Sequence, residues 1–397
     1  MGKKLSEHTS WVGKTDWQLA HFHGDEYSTH RGSSYNSFLV RDKKTALIDT
    51  VWLPFDKEFV SRLKEEIDLN EIDYIVMNHN EVDHSGALPE LLREIPDVPI
   101  YCTAKGEAIL RGHYHRDWNF VNVRTGDTLP LGETTLTFIE ATMLHWPDTM
   151  MSYLSGDNVL FSNDVFGQHF ASESLFDDRV NSEAMMYEAM KYYANIILPY
   201  SNMAKRKLAE LKSMNLPIDI IAPSHGVMWK EQVCDILDNY SRWCSGYQEN
   251  QITIIYDTMW NSTRTMAENI AQGICEADPS VNIRIFNAAE HDKNDIITEI
   301  FRSKAIAVGC PTINNRVSHA IGGLLEMVKG LRFKGKKGAA FGSYGWSGES
   351  TGIINNMLNA SGFETYDDGL KLLWVPDGNA ISKCRSYGSE FAERTRL

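Results

Sequence analysis

The segment HNEVDH (His79–His84) places four ionisable side chains directly after the apolar stretch DYIVMN. That stretch predicts a strand, so we expect these side chains to project from a strand end into a loop. Packing four ionisable groups at one strand end would be costly in free energy without a cation. The four potential ligands form two offset pairs, an arrangement that can serve two adjacent metal ions. The spacing therefore predicts a metal site rather than an ordinary polar loop.

Other residues of ligand type follow apolar strands elsewhere in the chain. His145 comes after FIEATML, Asp164 after VLFSN, and His225 after DIIAPS. Loops at strand ends are where a rigid sheet can bring distant residues together. An isolated histidine is more often an ordinary surface or core residue. We interpret four others in that way, namely His113, His115, His169 and His291.

The candidate ligands are four imidazoles and three carboxylates, without a thiolate. Imidazole suits zinc and iron alike, while carboxylates shift the preference towards harder, oxygen-loving ions. Seven ligands are too many for one catalytic centre but sufficient for two if one carboxylate bridges. The predicted metal ligands are His79, Glu81, Asp83, His84, His145, Asp164 and His225.

A chain of 397 residues exceeds the size at which one hydrophobic core keeps growing, so we expect two domains, 1–250 and 251–397. In the first, mixed strands and helices predict a sheet sandwich covered by helices. Strands are predicted at 34–40, 44–50, 73–78, 98–103, 134–141, 150–154, 158–162 and 219–222, and helices near 57–68 and over 182–214.

In the second domain, apolar strands alternate regularly with helices, which is typical of a parallel, doubly wound α/β sheet. Strands are predicted at 252–256, 281–286, 305–309 and 337–341, and helices from 262 and over 293–302, 320–328 and 350–360, before a final strand and helix.

Three loops in the second domain leave the carboxyl ends of predicted parallel strands, where such sheets bind ligands. The first is rich in hydroxyl and amide residues, which suit a phosphate at a helix N-terminus, although the same residues also serve as an ordinary helix cap. It contains no glycine, so it is neither a Walker loop nor a dinucleotide fingerprint. The glycine-rich third loop lets the backbone approach a flat ring.

These loops resemble the FMN site of a short-chain flavodoxin. Trp260 and Trp346 are candidates for flanking the flavin ring, with packing in a core as the alternative for either. The predicted FMN contacts are Thr258, Met259, Trp260, Asn261, Ser262, Thr263, Pro311, Thr312, Ile313, Asn314, Asn315, Ser343, Tyr344, Gly345, Trp346, Ser347 and Gly348.

The HNEVDH segment resembles the metallo-β-lactamase motif H-x-H-x-D-H, but Glu81 stands where the hydrolases carry histidine. Together with MLHWPD (Met143–Asp148), FSNDVFGQH (Phe161–His169) and APSHG (Ala222–Gly226), it resembles the flavodiiron proteins over essentially the whole chain. The resemblance implies an α/β protein with an N-terminal metallo-β-lactamase-like αββα sandwich and a C-terminal flavodoxin-like doubly wound parallel sheet.

The resemblance also implies two iron ions, one FMN and a role for each ligand. One iron is assigned to His79, Glu81 and His145, the other to Asp83, His84 and His225, with Asp164 bridging the pair.

Two further residues, His23 and Tyr193, resemble distal-pocket residues of the family that would hydrogen-bond a metal-bound intermediate. A purely structural polar role is the alternative for both.

The implied activity is reduction of dioxygen to water, of nitric oxide to nitrous oxide, or of both. A two-metal hydrolase with an accessory flavodoxin domain is the alternative, and a non-enzymatic electron carrier is a third possibility. The implied partners are a rubredoxin-like electron donor on a separate chain and further copies of this chain, in a head-to-tail homodimer or a dimer of dimers.

The net charge of −14 and the pI of about 5.4 argue against nucleic acid and anionic membranes as partners. The N-terminal segment has no apolar signal-peptide core, so we expect a cytoplasmic protein. Six cysteines lie scattered without a C-x-x-C pair, which predicts reduced thiols and excludes a rubredoxin-type iron centre within this sequence.

Overall fold

The computed structural model describes residues 2–396 and divides into two units, the first ending at Cys244 and the second beginning at Ser245. The strand that opens the second unit, Glu249–Tyr256, contains the predicted domain boundary between residues 250 and 251.

Within residues 2–244, the first unit contains sixteen strands. They are β1 (Lys3–Lys4), β2 (Thr9–Trp11), β3 (Lys14–Asp16), β4 (His21–Phe22), β5 (Tyr27–Ser28), β6 (Ser33–Tyr35), β7 (Phe38–Arg41), β8 (Thr45–Ile48), β9 (Tyr74–Val76), β10 (Ile100–Cys102), β11 (Phe120–Asn122), β12 (Thr128–Pro130), β13 (Thr135–Glu140), β14 (Met150–Ser155), β15 (Val159–Asn163) and β16 (Ile220–Pro223).

In the same described part of the chain, seven α-helices accompany these strands. They are α1 (Asp56–Glu66), α2 (Val82–Ser85), α3 (Leu88–Glu94), α4 (Ala104–Tyr114), α5 (Ser182–Tyr192), α6 (Ser201–Ser213) and α7 (Val233–Trp243). Short 3-10 turns occupy Leu53–Phe55, Leu69–Glu71, Asp177–Arg179 and Leu198–Tyr200, and a π-helical turn occupies Tyr193–Ile197.

Two sheets share one hydrophobic core in this unit. Their strand orders are β1-β2-β7-β8-β9-β10-β11 and β12-β13-β14-β15-β16. Alternate residues along a strand face the same side, and the core takes Phe38 and Val40 from the first sheet and Leu136 and Phe138 from the second. The predicted sheet sandwich is confirmed by this shared core.

The predicted strand 34–40 is in fact two strands. β6 pairs with β3 in a small separate sheet, whereas β7 belongs to the larger sheet. Between these two strands, Asn36 forms hydrogen bonds with the segment around His225. Its N–H donates to Ser224 O, and its side-chain amide donates to the carbonyls of Pro223 and Gly226. This break in the strand therefore fixes the backbone on both sides of one candidate ligand.

The helix predicted over 182–214 is also divided. α5 and α6 are separated by the π turn and a 3-10 turn that contains Pro199. Proline has no N–H to donate and its ring clashes with the preceding helical turn, so a continuous helix cannot pass this point.

The second unit is one parallel sheet with helices between its strands. The strands are β17 (Glu249–Tyr256), β18 (Asn282–Asn287), β19 (Ser303–Gly309), β20 (Lys337–Tyr344), β21 (Glu364–Thr365) and β22 (Leu370–Leu373). The helices are α8 (Ser262–Ala277), α9 (Lys293–Arg302), α10 (His319–Leu331), α11 (Ser350–Ala360) and α12 (Gly378–Arg394).

The strand order of this sheet is β18-β17-β19-β20-β21, with β22 also paired to β20. This is the flavodoxin-like order, in which β18 lies on one side of β17 and the later strands are added on the other side. α8 and α12 pack Met266, Ile270 and Phe391 against Ile254 and Phe341 of the sheet. The predicted doubly wound parallel sheet is confirmed.

Within residues 2–396, no helix is both long enough and apolar enough to span a membrane.

Candidate metal and flavin sites

The HNEVDH segment enters a one-turn helix rather than the open loop that its sequence predicted. Asp83 and His84 lie on α2, and Glu81 is the residue immediately before it. The Ser85 hydroxyl donates to the carbonyls of Asn80 and Glu81, at 3.0 and 2.9 Å, and this closes the turn. The segment therefore holds its four ligands on a constrained backbone.

The other three candidate ligands come from strand ends, as predicted. His145 lies between β13 and β14, Asp164 directly follows β15, and His225 lies just beyond β16. The structure brings all seven predicted ligands into one buried cluster, in which ligand atoms of each group of three lie within 4.8 Å of one another.

The first group joins His79, Glu81 and His145. Glu81 Oε2 lies 3.4 Å from His79 Nε2 and 3.6 Å from His145 Nε2. Three ligand atoms at these separations face a common point.

The second group joins Asp83, His84 and His225. Asp83 Oδ2 lies 3.1 Å from His84 Nε2 and 3.2 Å from His225 Nε2. The two groups repeat the same pattern of two imidazoles around one carboxylate.

Asp164 stands between the two groups and divides its oxygens between them. Oδ2 lies 3.7 Å from His79 Nε2 and 3.4 Å from His145 Nε2. Oδ1 lies 3.2 Å from His84 Nε2 and 3.5 Å from His225 Nε2. One carboxylate therefore faces both groups, which is the geometry of a bridge.

Several buried atoms of the cluster lack hydrogen-bond partners among the described residues, and a cation would satisfy them. These atoms are His79 Nε2, Asp83 Oδ1 and both oxygens of Asp164. Burial alone would raise the pKa of Asp164, but the imidazoles of His84 and His145 lower that pKa well below its usual range. An ionised, buried carboxylate without hydrogen bonds is costly, so the site fits a pair of metal ions held by nitrogen and oxygen.

Two ligand imidazoles are oriented by their other ring nitrogen. His225 Nδ1 donates to Ser34 O at 2.7 Å. The free lone pair of this ring therefore lies on Nε2, the nitrogen that faces the carboxylates. His79 Nδ1 lies 3.2 Å from Asp148 Oδ2. Groups of this kind fix the ring and the tautomer of metal-binding histidines.

Asp148 is a functional residue to which the sequence analysis assigned no role. It is buried, and it also accepts hydrogen bonds from the N–H and the side-chain amide of Asn80, at 2.9 and 2.8 Å. Its position in the segment MLHWPD, three residues after His145, was the available signal.

The predicted distal residues His23 and Tyr193 occupy different places. His23 Nε2 lies 3.2 Å from Glu81 Oε1, at the edge of the first group. The Tyr193 hydroxyl instead shares a hydrogen bond with Ser201, at 2.7 Å, and its ring packs against Tyr240 and Trp243.

Two tyrosines, Tyr35 and Tyr192, lie near the cluster, with ring centroids 6.0 and 6.3 Å from that of His225. Burial raises the pKa of Tyr192 well above its usual value, and the charges of Asp164 and Asp83 raise it further. The Tyr192 hydroxyl therefore stays protonated.

His169, interpreted from sequence as an ordinary histidine, also lies against the cluster. Its ring centroid is 4.9 Å from that of His225 and 4.8 Å from that of Phe22. Its Nδ1 shares a 2.7 Å hydrogen bond with Ser33 Oγ. Burial lowers the pKa of His169 well below its usual value, so the ring is neutral.

In the second unit, the first predicted phosphate loop joins β17 to α8. Asn261 adopts a left-handed conformation with φ of 64°, and the helix begins at Ser262. The Thr258 hydroxyl oxygen is buried without a hydrogen-bond partner among the described residues. Thr263 Oγ1 shares a 2.9 Å hydrogen bond with Ser343 Oγ, so the start of α8 meets the end of β20. A phosphate at this helix N-terminus would satisfy the unpaired hydroxyl.

The second loop, 311–315, is a tight turn beside the third. Asn314 and Asn315 have φ of 50° and 60°, and Ile313 and Arg316 exchange backbone hydrogen bonds. Thr312 N–H donates to Ser343 O at 3.0 Å. All three predicted loops therefore converge at one end of the sheet.

The strand predicted at 337–341 is longer in the structure, so the third loop begins later than predicted. Ser343 and Tyr344 continue β20, because Tyr344 pairs with Leu373 of β22, and the loop begins only at Gly345. Trp260 and Trp346 are 84% and 88% exposed, so neither packs in a core. Exposed indoles at a strand end suit a flat ring.

Trp374 is a residue of this region that the sequence analysis missed. It is 67% exposed, its N–H donates to Tyr344 O, and its indole Nε1 donates to Gly345 O, each at 2.8 Å. Only the pairing of β22 with β20 brings it beside the third loop.

These two sites define a class of protein, a flavoprotein with a dinuclear non-haem metal centre on a separate sandwich unit. Residues 34–226 match the ODP family of beta lactamases, and residues 254–388 match the flavodoxin family. The anaerobic nitric oxide reductase flavorubredoxin of Escherichia coli (strain K12 / DH10B) is 51% identical over 389 residues, which cover 98% of this chain and 81% of the relative.

Solved structures agree in fold over the whole chain. The rubredoxin oxygen:oxidoreductase of Desulfovibrio gigas superposes with a TM-score of 0.96 at 33% identity, covering 100% of this chain and 98% of the other. The flavodiiron protein of Giardia intestinalis gives 0.95 at 30% identity, covering 100% and 97%. The chain belongs to the flavodiiron protein family, whose members carry a non-haem diiron centre, and its flavodoxin domain binds FMN.

Proposed function

We propose that this chain is an oxidoreductase that reduces nitric oxide to nitrous oxide, and also dioxygen to water, with electrons passed through FMN. The observation that carries the proposal is the position of Asp164, whose two oxygens face two groups of three ligands. We place nitric oxide first because the 51% identical relatives are named nitric oxide reductases, whereas the oxygen reductase is 33% identical.

The electron balance fits both gases. When bound at these sites, two ferrous ions and one reduced FMN would supply four electrons, the number that dioxygen needs to become two waters. Two nitric oxide molecules need two electrons to become nitrous oxide and water.

Around the metal position, the chain supplies hydrogen-bonding groups on one side and apolar surface on the other. His23 Nε2 lies 3.2 Å from Glu81 Oε1, and the ring of Tyr192, whose hydroxyl stays protonated, lies near His225. Phe22 covers His225 with a ring-to-ring distance of 5.5 Å. We propose that His23 and Tyr192 donate protons to the reacting gas and that the apolar ring limits the entry of bulk water.

We assign His79, Glu81 and His145 to one metal ion. We assign Asp83, His84 and His225 to the other. Elemental analysis of protein grown with iron should show about two irons per chain, as a two-metal site requires. Asp164→Ala should lose both ions, because both groups share that carboxylate. Asp117→Ala, on an 87% exposed side chain, is the matched control and should keep both ions.

The competing hydrolase function is not favoured, because the chain belongs to a family of oxidoreductases and carries Glu81 where the hydrolases carry histidine. Stoichiometric zinc in the purified protein, with no reduction of either gas by the chemically reduced enzyme, would support the hydrolase and contradict this proposal.

For FMN, the phosphate is assigned to the loop 258–263. Ser262→Asp places a carboxylate at the start of α8, where it would repel a phosphate dianion. The variant should lose its yellow colour on dialysis, and the control Ser386→Asp, on the exposed side of α12, should keep it. Retention of FMN by Ser262→Asp would show that the phosphate is bound elsewhere.

The proposal also includes an electron donor and a cellular compartment. We propose a small rubredoxin-like protein on a separate chain as electron donor, and a cytoplasmic location. No disulfide joins any of the six cysteines within residues 2–396, as expected where thiols stay reduced. Reduced rubredoxin, added to the oxidised protein, should reduce the FMN faster than the same chemical reductant does without rubredoxin. That result would support this donor.

We also propose a head-to-tail homodimer, or a dimer of dimers, in which FMN of one chain serves the irons of another. The family resemblance supports it, together with the short connection between α7, which ends at Trp243, and β17, which begins at Glu249. Mixed dimers of Asp164→Ala with Ser262→Asp should regain one working pair of sites and part of the activity. Verified mixed dimers without activity would show that electrons travel within one chain.

A further inference from the structure

The two oxygens of Glu81, the carboxylate of the first metal-ligand group, face different partners. Oε2 lies 3.4 Å from His79 Nε2 and 3.6 Å from His145 Nε2, on the side of the metal ligands. Oε1 lies 3.2 Å from His23 Nε2. An ionised carboxylate oxygen only accepts hydrogen bonds, so Nε2 is the donor. One oxygen of Glu81 is therefore available to a metal ion, and the other is engaged by His23.

Asp83 is the corresponding carboxylate of the second group. Its Oδ2 lies 3.1 Å from His84 Nε2 and 3.2 Å from His225 Nε2. Its Oδ1 is buried and has no hydrogen-bond partner within residues 2–396. A carboxylate can bind a metal ion through one oxygen or through both. Asp83 can therefore give both oxygens to its ion, whereas the contact with His23 leaves Glu81 only one.

The two groups also differ in exposure within one chain. The side chains of Glu81 and His145 are 15% and 12% exposed. Those of Asp83, His84 and His225 are 5%, 2% and 1% exposed. A small molecule that enters from solvent therefore meets the metal position of the first group.

His23 is supported by the turn that carries it. It directly follows β4, and both it and Gly24 have left-handed backbone conformations, with φ of 53° and 68°. Its ring packs against that of Phe22, at a centroid distance of 4.4 Å. Phe22 is buried and packs in turn against His225. The His23 ring therefore packs on a residue that is itself held against a metal ligand.

We propose that His23 is a positioning residue, whose hydrogen bond limits Glu81 to one metal-binding oxygen and so keeps a coordination position open for the gas at the first metal. The proposal rests on the proposed gas-reducing function. Catalytic metal sites need such an open position. Without the hydrogen bond, Oε1 is free to bind the same ion and fill that position. This role needs the hydrogen bond alone and no transfer of its proton, so it is separate from proton donation by His23.

Azide, a small anion that binds ferric iron, is the probe for the open position. Its affinity for the oxidised, iron- and FMN-loaded protein is measured from the absorption of the azide complex in difference spectra. His23→Ala should weaken azide binding by about tenfold, the effect of losing one hydrogen bond to a charged group. His23→Gln should restore most of the affinity, because its amide donates a hydrogen bond but no proton. His21→Ala, an exposed histidine on β4, is the matched control and should bind azide normally.

Iron retention separates positioning from a merely structural role. His23→Ala should keep two irons and lose them to a chelator no faster than the unmodified protein, because Glu81 can then bind through both oxygens. Faster loss of iron together with weaker azide binding would show a structural role and overturn the proposal, as would unchanged azide affinity.

A crystal structure of the unmodified, iron-loaded protein tests the same point without any variant. Glu81 should bind its ion through Oε2 alone, and coordination through both oxygens would overturn the proposal. The absence of all gas reduction would instead contradict the proposed function, since azide binding needs no turnover.

Discussion

Asp148 Oδ2 lies 3.2 Å from Nδ1 of His79, on the side of the imidazole that faces away from the metal ligands. Both side chains are fully buried. Burial would raise the pKa of Asp148, but hydrogen bonding and the charge of His79 lower it, so the carboxylate is ionised. An ionised acceptor behind the ring keeps the proton on Nδ1 and leaves the Nε2 lone pair for a metal.

Asp148→Ala should weaken iron binding by about 10- to 100-fold, the range expected when a partner of a metal-binding histidine is lost. The seven ligands remain, so the variant should bind two irons at saturation and lose them faster to a chelator. Asp117→Ala, an exposed aspartate, should lose iron at the unmodified rate. Equal chelation rates for Asp148→Ala and the unmodified protein would mean that Asp148 does not orient His79.

Tyr192 and Tyr193 give a direct test of the pocket, because they are adjacent in sequence and differ in position. Tyr192→Phe should lower the turnover of nitric oxide by about tenfold or more, as expected for loss of a proton donor. Tyr193→Phe should leave turnover unchanged and lower the free energy of unfolding by about 1 kcal/mol, through loss of the hydrogen bond to Ser201. A loss of turnover in Tyr193→Phe alone would support the assignment made from sequence.

The sequence was sufficient to predict that the seven candidate ligands converge and that the three predicted loops converge, because both depend on local features. Ligands placed directly after apolar strands must meet where the strand ends meet. Tyr193 was predicted as a distal residue and Tyr192 was not considered, because the direction of each tyrosine depends on the helical phase of α5 just before a π turn. Nor could it place Trp374, because that residue reaches the third loop only through the pairing of two strands.

Trp374 should position the third flavin loop. Its indole N–H donates to Gly345 O, so Trp374→Phe keeps an aromatic ring and removes only that hydrogen bond. We expect about fivefold weaker FMN binding, the effect of about 1 kcal/mol for one hydrogen bond. Fluorescence titration of the apoprotein measures it, with Trp17→Phe in the first unit as the control. Equal affinity for FMN in Trp374→Phe and the control would exclude this role.

Lys336 should make the stability of the second unit depend on pH. Its ammonium donates to the carbonyls of Phe301 and Ser303, at 2.8 and 2.5 Å, and burial lowers its pKa from 10.5 to about 7.

Between pH 7 and pH 10.5 the unfolded chain binds the proton of Lys336 and the folded chain does not, so this lysine makes the free energy of unfolding rise with pH. Below pH 7 both states are charged, and the cost of burying the charge is at its largest.

Lys336→Met removes this dependence. The free energy of unfolding of the unmodified protein, minus that of the variant, should therefore increase as pH rises from 7 towards 10.5. Urea unfolding of both proteins across that range measures the difference, and Lys334→Met, on an exposed lysine, should give a constant difference. A constant difference for Lys336→Met as well would show that the surrounding carbonyls keep Lys336 charged in the folded protein.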